Sequence, residues 1–81
     1  MKIEVQLFSR LRDLAGGARL ALELPADATV GDALAHVYAD HPALRDWDRH
    51  VLLAVGLEYV GREQVLRAGD TLSIMPPVQG G

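Results

Sequence analysis

The chain ends in Pro-Pro-Val-Gln-Gly-Gly, residues 76–81, directly after the apolar-rich stretch Leu72-Ser73-Ile74-Met75. The prolines lack a backbone N–H, so Pro76 and Pro77 end any hydrogen-bonded ladder and bias the chain toward extended polyproline geometry. Six residues at about 3.3–3.6 Å each carry the terminal carboxylate roughly 20 Å from the preceding element. Gly80 and Gly81 have no side chain and tolerate any backbone angle, the properties that a narrow channel in another protein demands. The group delivered is the α-carboxylate of Gly81, a poor electrophile as it stands and a transferable acyl group once a partner activates it. A second reading of the same glycines is a frayed chain end with no chemical role.

Other constellations that do chemistry are missing from the sequence. His36 and His41 are five apart, about 140° around a helix, and do not share a metal as a pair at i and i+4 does. His50 stands alone, and no metal site is expected. There is no Gly-rich phosphate loop and no Ser-His-Asp arrangement. Arg45, Asp46, Asp48 and Arg49 read as a solvated charge cluster. With no cysteine in the chain there is no thiolate nucleophile and no disulfide framework, which fits a reducing compartment.

The 81 residues, 49% hydrophobic and 23% charged, make one compact domain too small for a deep enclosed active site. Catalytic machinery of its own is therefore not expected. The net charge of −3, with Lys and Arg scattered, leaves no electrostatic footprint for nucleic acid and favours basic partner surfaces. The run VLLAV is too short to cross a membrane, and Glu4 and Gln6 interrupt what a signal peptide needs as an apolar stretch. A cytoplasmic protein without membrane contact is expected.

The elements that must position the terminus follow from periodicity. Ile3, Val5 and Leu7 alternate with Glu4 and Gln6, the pattern of a strand over Lys2 to Phe8 with one face in the core. In SRLRDLAGG, Leu11 and Leu14 lie three apart before Gly16-Gly17, a short helical turn stopped by glycine. Leu20, Leu22 and Leu24 alternate up to Pro25 and predict a second strand, antiparallel to the first. Val30, Ala33, Leu34, Val37 and Tyr38 then form one helical stripe, with Thr29 as N-cap, Asp32 at N3 and Pro42 beyond the end. Leu44 and Trp47 are placed to plug the bottom of the core. VLLAV, residues 51–55, reads as a strand covered on both faces or nearly so. Gly56 marks a turn, Tyr59-Val60 a short strand, RAGD a turn at 67–70, and TLSIM a last strand with Leu72 and Ile74 facing the core. The order predicts an α+β domain over residues 1–75, a mixed sheet of four to five strands with one main helix on one face, followed by a flexible tail over 76–81.

On FSRLRDLAG near the start, LRAGDTLSIMPPVQGG at the end and the strand-helix order between them, the chain resembles the small subunits of molybdopterin synthase in the MoaD/ThiS family of ubiquitin-like sulfur carriers. The resemblance spans the full length and is most specific in the terminal Pro-Pro-Val-x-Gly-Gly. It implies a β-grasp fold. It further implies that an E1-like enzyme adenylylates Gly81 with ATP, that a sulfur donor protein converts it to a thiocarboxylate, and that the tail (Pro76, Pro77, Val78, Gln79, Gly80, Gly81) threads into a large synthase subunit. There the sulfur passes to the pyranopterin precursor of the molybdenum cofactor, in a heterotetramer of two small and two large subunits. No cofactor is bound by the chain itself under this reading. Two departures stand out: Gly56-Leu57 where relatives often have Asn-Gln, and Met75 where they often have Phe. A carrier of the same fold serving thiamine or tRNA thiolation, a protein modifier, or a β-grasp interaction module remain as alternatives.

Alternation also puts Phe8 and Met75 on the faces opposite the core residues of the first and last strands, beside Gln6 and Ser73. Tyr59 matches a position at which members of the family contact the large subunit. Phe8, Tyr59 and Met75 are thus expected to form an apolar anchor at the base of the tail, the other reading being that Phe8 and Met75 only close the ends of the core.

Overall fold

The computed structural model describes residues 1–77, and Val78, Gln79, Gly80 and Gly81 lie outside the described residues. The chain runs through strand β1 (Lys2–Leu7), helix α1 (Arg10–Ala15), strand β2 (Arg19–Glu23), helix α2 (Val30–Asp40), a 3₁₀ helix (Pro42–Trp47), and strands β3 (Leu52–Val55), β4 (Glu58–Tyr59) and β5 (Thr71–Met75). The five strands form one sheet in the order β2-β1-β5-β3-β4. Only the central pair β1 and β5 is parallel, with Val5 opposite Leu72 and Leu7 opposite Ile74. This is the β-grasp arrangement: the first hairpin and the last strand enclose α2 against one face of the sheet.

The core is the product of two periods meeting. Ile3, Val5 and Leu7 from β1 and Leu72 and Ile74 from β5 are buried, and the α2 stripe of Val30, Ala33, Leu34, Val37 and Tyr38 is buried against the same cluster. Helix α2 begins as its sequence directs. The Thr29 hydroxyl accepts from the Asp32 N–H at 3.2 Å, and the Asp32 carboxylate accepts from the Thr29 N–H at 2.9 Å. Such a box is worth about 1 kcal/mol. Two more N–H groups of the first turn are satisfied from the segment after β4: Val30 donates to the Gln64 carbonyl at 2.9 Å and Gly31 to the Arg62 carbonyl at 2.8 Å. A Cβ at Gly31 would stand 3.4 Å from that Arg62 oxygen, so glycine suits this close approach. The segment after β4 therefore caps α2, and the helix end leaves few orphan donors.

Pro42 ends α2 by opening the 3₁₀ helix, with His41 between them, and Leu44 is buried while Trp47 packs half-buried at the core's edge. Gly16 closes α1 in the left-handed region at φ 76°. Of the two leucines spaced for α1, Leu11 is buried and Leu14 is exposed, because a helix of six residues buries little more than one position.

Two sequence expectations need correction. VLLAV is a strand only from Leu52 onward, since Val51 precedes β3; none of its residues is exposed, although Leu52 and Ala54 point to the face opposite the helical layer. Ala54 is only 8% exposed and lines a concavity with Leu57, Tyr59 and Met75. The short strand falls one residue early, at Glu58–Tyr59, and Val60 instead returns to the core side with its N–H on the Leu53 carbonyl at 2.9 Å.

Candidate functional site at the base of the tail

Strand β5 delivers the chain to Pro76, and its register fixes what surrounds the exit. Met75 lies opposite Leu52, Ser73 opposite Ala54, and Ala54 in turn opposite Tyr59. Opposite residues share a face, so Gln6, Ser73, Ala54 and Tyr59 form one row across the bare side of the sheet. The parallel pairing of β1 and β5 ends with Leu7 opposite Ile74, which leaves Phe8 adjoining Met75 at the start of the next row. Tyr59 is 75% exposed and Phe8 41% exposed. Met75, Pro76 and Pro77 are half-buried.

The predicted trio is therefore distributed, not merged. Met75 and Tyr59 share a concavity of about 190 Å³ with Ala54, Gly56, Leu57 and Ser73. Phe8 lines a separate concavity with Gln6, Leu7, Arg12, Ala18 and Arg19. Met75 lines only the Tyr59 concavity, and the β1–β5 pairing stops one residue short of Phe8 and Met75. Gly81, expected to carry the acyl chemistry, and Val78, Gln79 and Gly80, expected to thread with it, lie outside the described residues.

Sequence reasoning missed Leu57. It is fully exposed at the tip of the two-residue β3–β4 turn, beside Tyr59, and Gly56 precedes it at φ 61°. A positive φ at the first turn position alone is the signature of a tight II′ hairpin, which projects the second residue outward. The available signal was a large apolar residue directly after a turn glycine, a place where polar residues are the rule.

The expected solvated cluster at 45–49 also needs correction. Asp48 is drawn into a network: the Tyr38 hydroxyl donates to its carboxylate at 2.5 Å, Arg62 Nη1 donates to the same oxygen at 2.8 Å, and Arg62 Nη2 donates to the Asp48 carbonyl at 2.6 Å. Burial pushes the Tyr38 phenol well above its ordinary value, and the bond to Asp48 adds to the rise. Partial burial would raise the Asp48 carboxyl, but the Tyr38 hydroxyl and Arg62 guanidinium outweigh it and hold it below the usual carboxylate range. This network ties the 3₁₀ helix to the segment that caps α2 and has no part in the tail exit.

Residues 5–81 match the ThiS family model, a match that runs through the tail. The chain belongs to the ThiS family. It is 36% identical to the molybdopterin synthase sulfur carrier subunit of Chlamydomonas reinhardtii, with all of both chains covered. It is 35% identical to small archaeal modifier protein 1 of Haloferax volcanii, over 98% of this chain and 100% of that one. The crystal structure of that modifier superposes with a TM-score of 0.88 at 33% identity, again covering both chains fully. ThiS-family membership and the ubiquitin-like fold are thus settled together. Among the described residues, no helix is long and apolar enough to cross a membrane.

Proposed function

We propose that this chain is the sulfur-carrier subunit of a molybdopterin synthase and that Gly81 is its reactive terminus. A carboxylate oxygen of Gly81 attacks the α-phosphorus of ATP on an E1-like partner and releases pyrophosphate. The outer sulfur of a donor protein's persulfide then attacks the acyl carbon of the adenylate and AMP departs; a second thiol of the donor cleaves the S–S bond of the acyl disulfide so formed, which leaves the thiocarboxylate on Gly81 and a disulfide on the donor. The large synthase subunit receives the tail and passes the sulfur to the pyranopterin precursor, so the chain acts as co-substrate and leaves catalysis to its partner. The observation that carries this reading is the continuity of the family match through Gly81, together with full-length similarity to a sulfur carrier subunit. The apolar residues at the tail exit supply what the docking step requires, a desolvable surface at the point where the tail leaves the domain.

A second reading rests on the nearly equal similarity to the archaeal modifier. The same acyl adenylate, captured by a lysine amine instead of sulfur, gives an isopeptide bond. Intact-mass measurement after incubation with an activating enzyme, ATP and a sulfur donor separates the two. A shift equal to one oxygen replaced by sulfur is expected; protein adducts without that shift would favour the modifier, and an unchanged mass would remove both.

A further inference from the structure

Strand β2 is an edge strand whose free side is complementary to itself. The β1–β2 ladder pairs residues whose numbers sum to a constant, with Gln6 opposite Arg19, Glu4 opposite Ala21 and Lys2 opposite Glu23. Just beyond its two ends, Leu7 N–H donates to the Ala18 carbonyl and Leu24 N–H to the Met1 carbonyl, both at 2.8 Å. Hydrogen-bonded pairs alternate in an antiparallel ladder, so Leu20 and Leu22 turn their backbone groups inward to β1. Arg19, Ala21 and Glu23 turn theirs to the free edge, where no strand pairs with them among the described residues.

A second copy laid antiparallel about a two-fold axis at Ala21 meets every one of these groups. Ala21 faces the partner's Ala21, Arg19 faces the partner's Glu23, and Glu23 faces the partner's Arg19. Each is a hydrogen-bonded pair, giving about six backbone bonds by the ordinary antiparallel pattern. On the core side, half-buried Leu20 comes opposite the partner's Leu22. Slips to other antiparallel registers set Arg19 against Arg19, Glu23 against Glu23, or a charge against Ala21, so the centred register alone matches both charges. Present partners hold these charges only loosely: Arg19 and Glu4, both exposed, approach to 3.5 Å, and exposed Glu23 approaches the Met1 ammonium to 3.6 Å. Pro25, which has no N–H to offer at the next edge-facing position, ends the pairing. Edge strands that avoid association carry charges, Pro or bulges; β2 has no internal Pro and no break in its register with β1, and its two edge-facing charges are opposite in sign and so match across the centred pairing.

We propose that β2 is a homotypic docking edge through which two copies of this chain form a weak symmetric dimer with one continuous sheet. The two-fold axis lies perpendicular to the sheet, so both bare faces lie on the same side while the two β5 strands run antiparallel and the two tails leave at opposite ends of the joint sheet. Five strand steps separate the two β5 strands, about 24 Å at the usual spacing. The contact of two five-residue strands is smaller than a standard stable interface, as befits a weak, concentration-dependent dimer.

Sedimentation of the full chain over a concentration series tests this, with thermal unfolding as a check that each variant is folded. Wild type should move from monomer to dimer as concentration rises. Glu23→Arg and Arg19→Glu should each weaken the dimer by about tenfold, since each turns two attractive cross-strand pairs repulsive. An equimolar mixture of the two single variants should associate again, and so should the chain carrying both substitutions. Ala21→Pro should abolish the dimer while keeping the β1 ladder, because it deletes only an edge-facing N–H. A monomer at all concentrations, or a dimer indifferent to these changes, would overturn the proposal.

Discussion

Tyr38, Asp48 and Arg62 bring three polar groups from three distant segments into mutual satisfaction, whereas Phe8, Leu57 and Tyr59 leave three large apolar groups uncovered. The first cluster satisfies its polar groups inside the fold and needs no second molecule. The second is exposed apolar surface that runs from Phe8, at the end of the sheet where the tail leaves, past Tyr59 to Leu57 at the other end of β5, the kind of surface that a partner desolvates. The difference teaches where to look for function in this domain. Side chains that complete each other hold the domain together, and side chains left incomplete point outward to what the domain meets.

The sharpest way to separate the two regions is at the reactive end. Deleting Gly81, or adding one residue after it, moves the carboxylate by about 3.5 Å and should abolish sulfur transfer without changing the unfolding midpoint. Sulfur-transfer assays with the purified partner enzymes, run beside denaturant titration, read both quantities. Normal turnover by either variant would refute the carrier role.

The polar network should show the opposite profile. Asp48→Ala leaves the hydroxyl of a buried tyrosine without its partner and should cost about 2 kcal/mol of stability. Most of that belongs to the Tyr38 arm, because Asp48 and Arg62 side chains are 35% and 44% exposed and a solvent-screened ion pair contributes under about 1 kcal/mol. Affinity for the large subunit should stay as in wild type. The pH dependence has a defined sign. The Asp48 carboxyl is lowered by folding, so its contribution is present above the unfolded value of about 3.9 and is lost as pH falls through the lower folded one. The Tyr38 phenol is raised, so its contribution is complete below about pH 10 and is lost as pH rises through the folded value. Acid unfolding of Asp48→Ala should therefore be flatter than that of wild type in the range below pH 4.

These two regions were not equally legible in the sequence. The capping box at Thr29 and Asp32, the turns at Gly56 and Gly69, and the two core strands β1 and β5 are local patterns, and local patterns are written in adjacent residues. The Tyr38–Asp48–Arg62 network is not local. Its members are ten and fourteen residues apart, no periodicity links them, and only the return of the chain after β4 brings Arg62 to Asp48. Asp48 therefore read as one more surface charge among Arg45, Asp46 and Arg49. The same holds for β3, whose apolar run reads as covered and has no exposed residue, while only the tertiary structure shows that the helical layer lies on one side. For the tail exit, alternation correctly separated Phe8 and Met75 from the core side, but two concavities in place of one patch follow from the register of β5 between β1 and β3, which is tertiary information.

Within the apolar region the trio can be ranked. Tyr59→Ala and Phe8→Ala should each weaken binding to the large subunit by at least about tenfold, in line with truncation of an aromatic anchor. Each should change stability by less than about 1.5 kcal/mol, below the usual cost of emptying a buried aromatic site. Leu57→Ser removes a side chain with no cover at all and should leave stability within about 0.5 kcal/mol while weakening binding a few-fold. Titration calorimetry paired with unfolding decides between anchor and core: intact affinity with a large stability loss for Phe8→Ala would return Phe8 to the core.

The smallest effect tests how the fold aims Phe8. Ser9, the residue after it, has φ 53° and ψ −128°, a region that residues with a Cβ seldom occupy and glycine enters freely. Its side chain makes no capping hydrogen bond to α1, so the strain is not offset by a cap. The conformation is held because β1 must end at Leu7 while Leu11, four residues on, is drawn into the core, and the chain between them turns abruptly. Ser9→Gly relieves a strain of order 1–3 kcal/mol and gives back part of it through the greater unfolded-chain entropy of glycine. The net expectation is a gain of about 1 kcal/mol, read as a rise in the denaturant midpoint with an unchanged slope. Affinity for the large subunit should fall slightly if at all, since the turn is still fixed by Leu7 and Leu11 on either side. A loss of stability in this variant would show that the Ser9 side chain contributes a contact beyond the backbone, and that the outward pose of Phe8 depends on it.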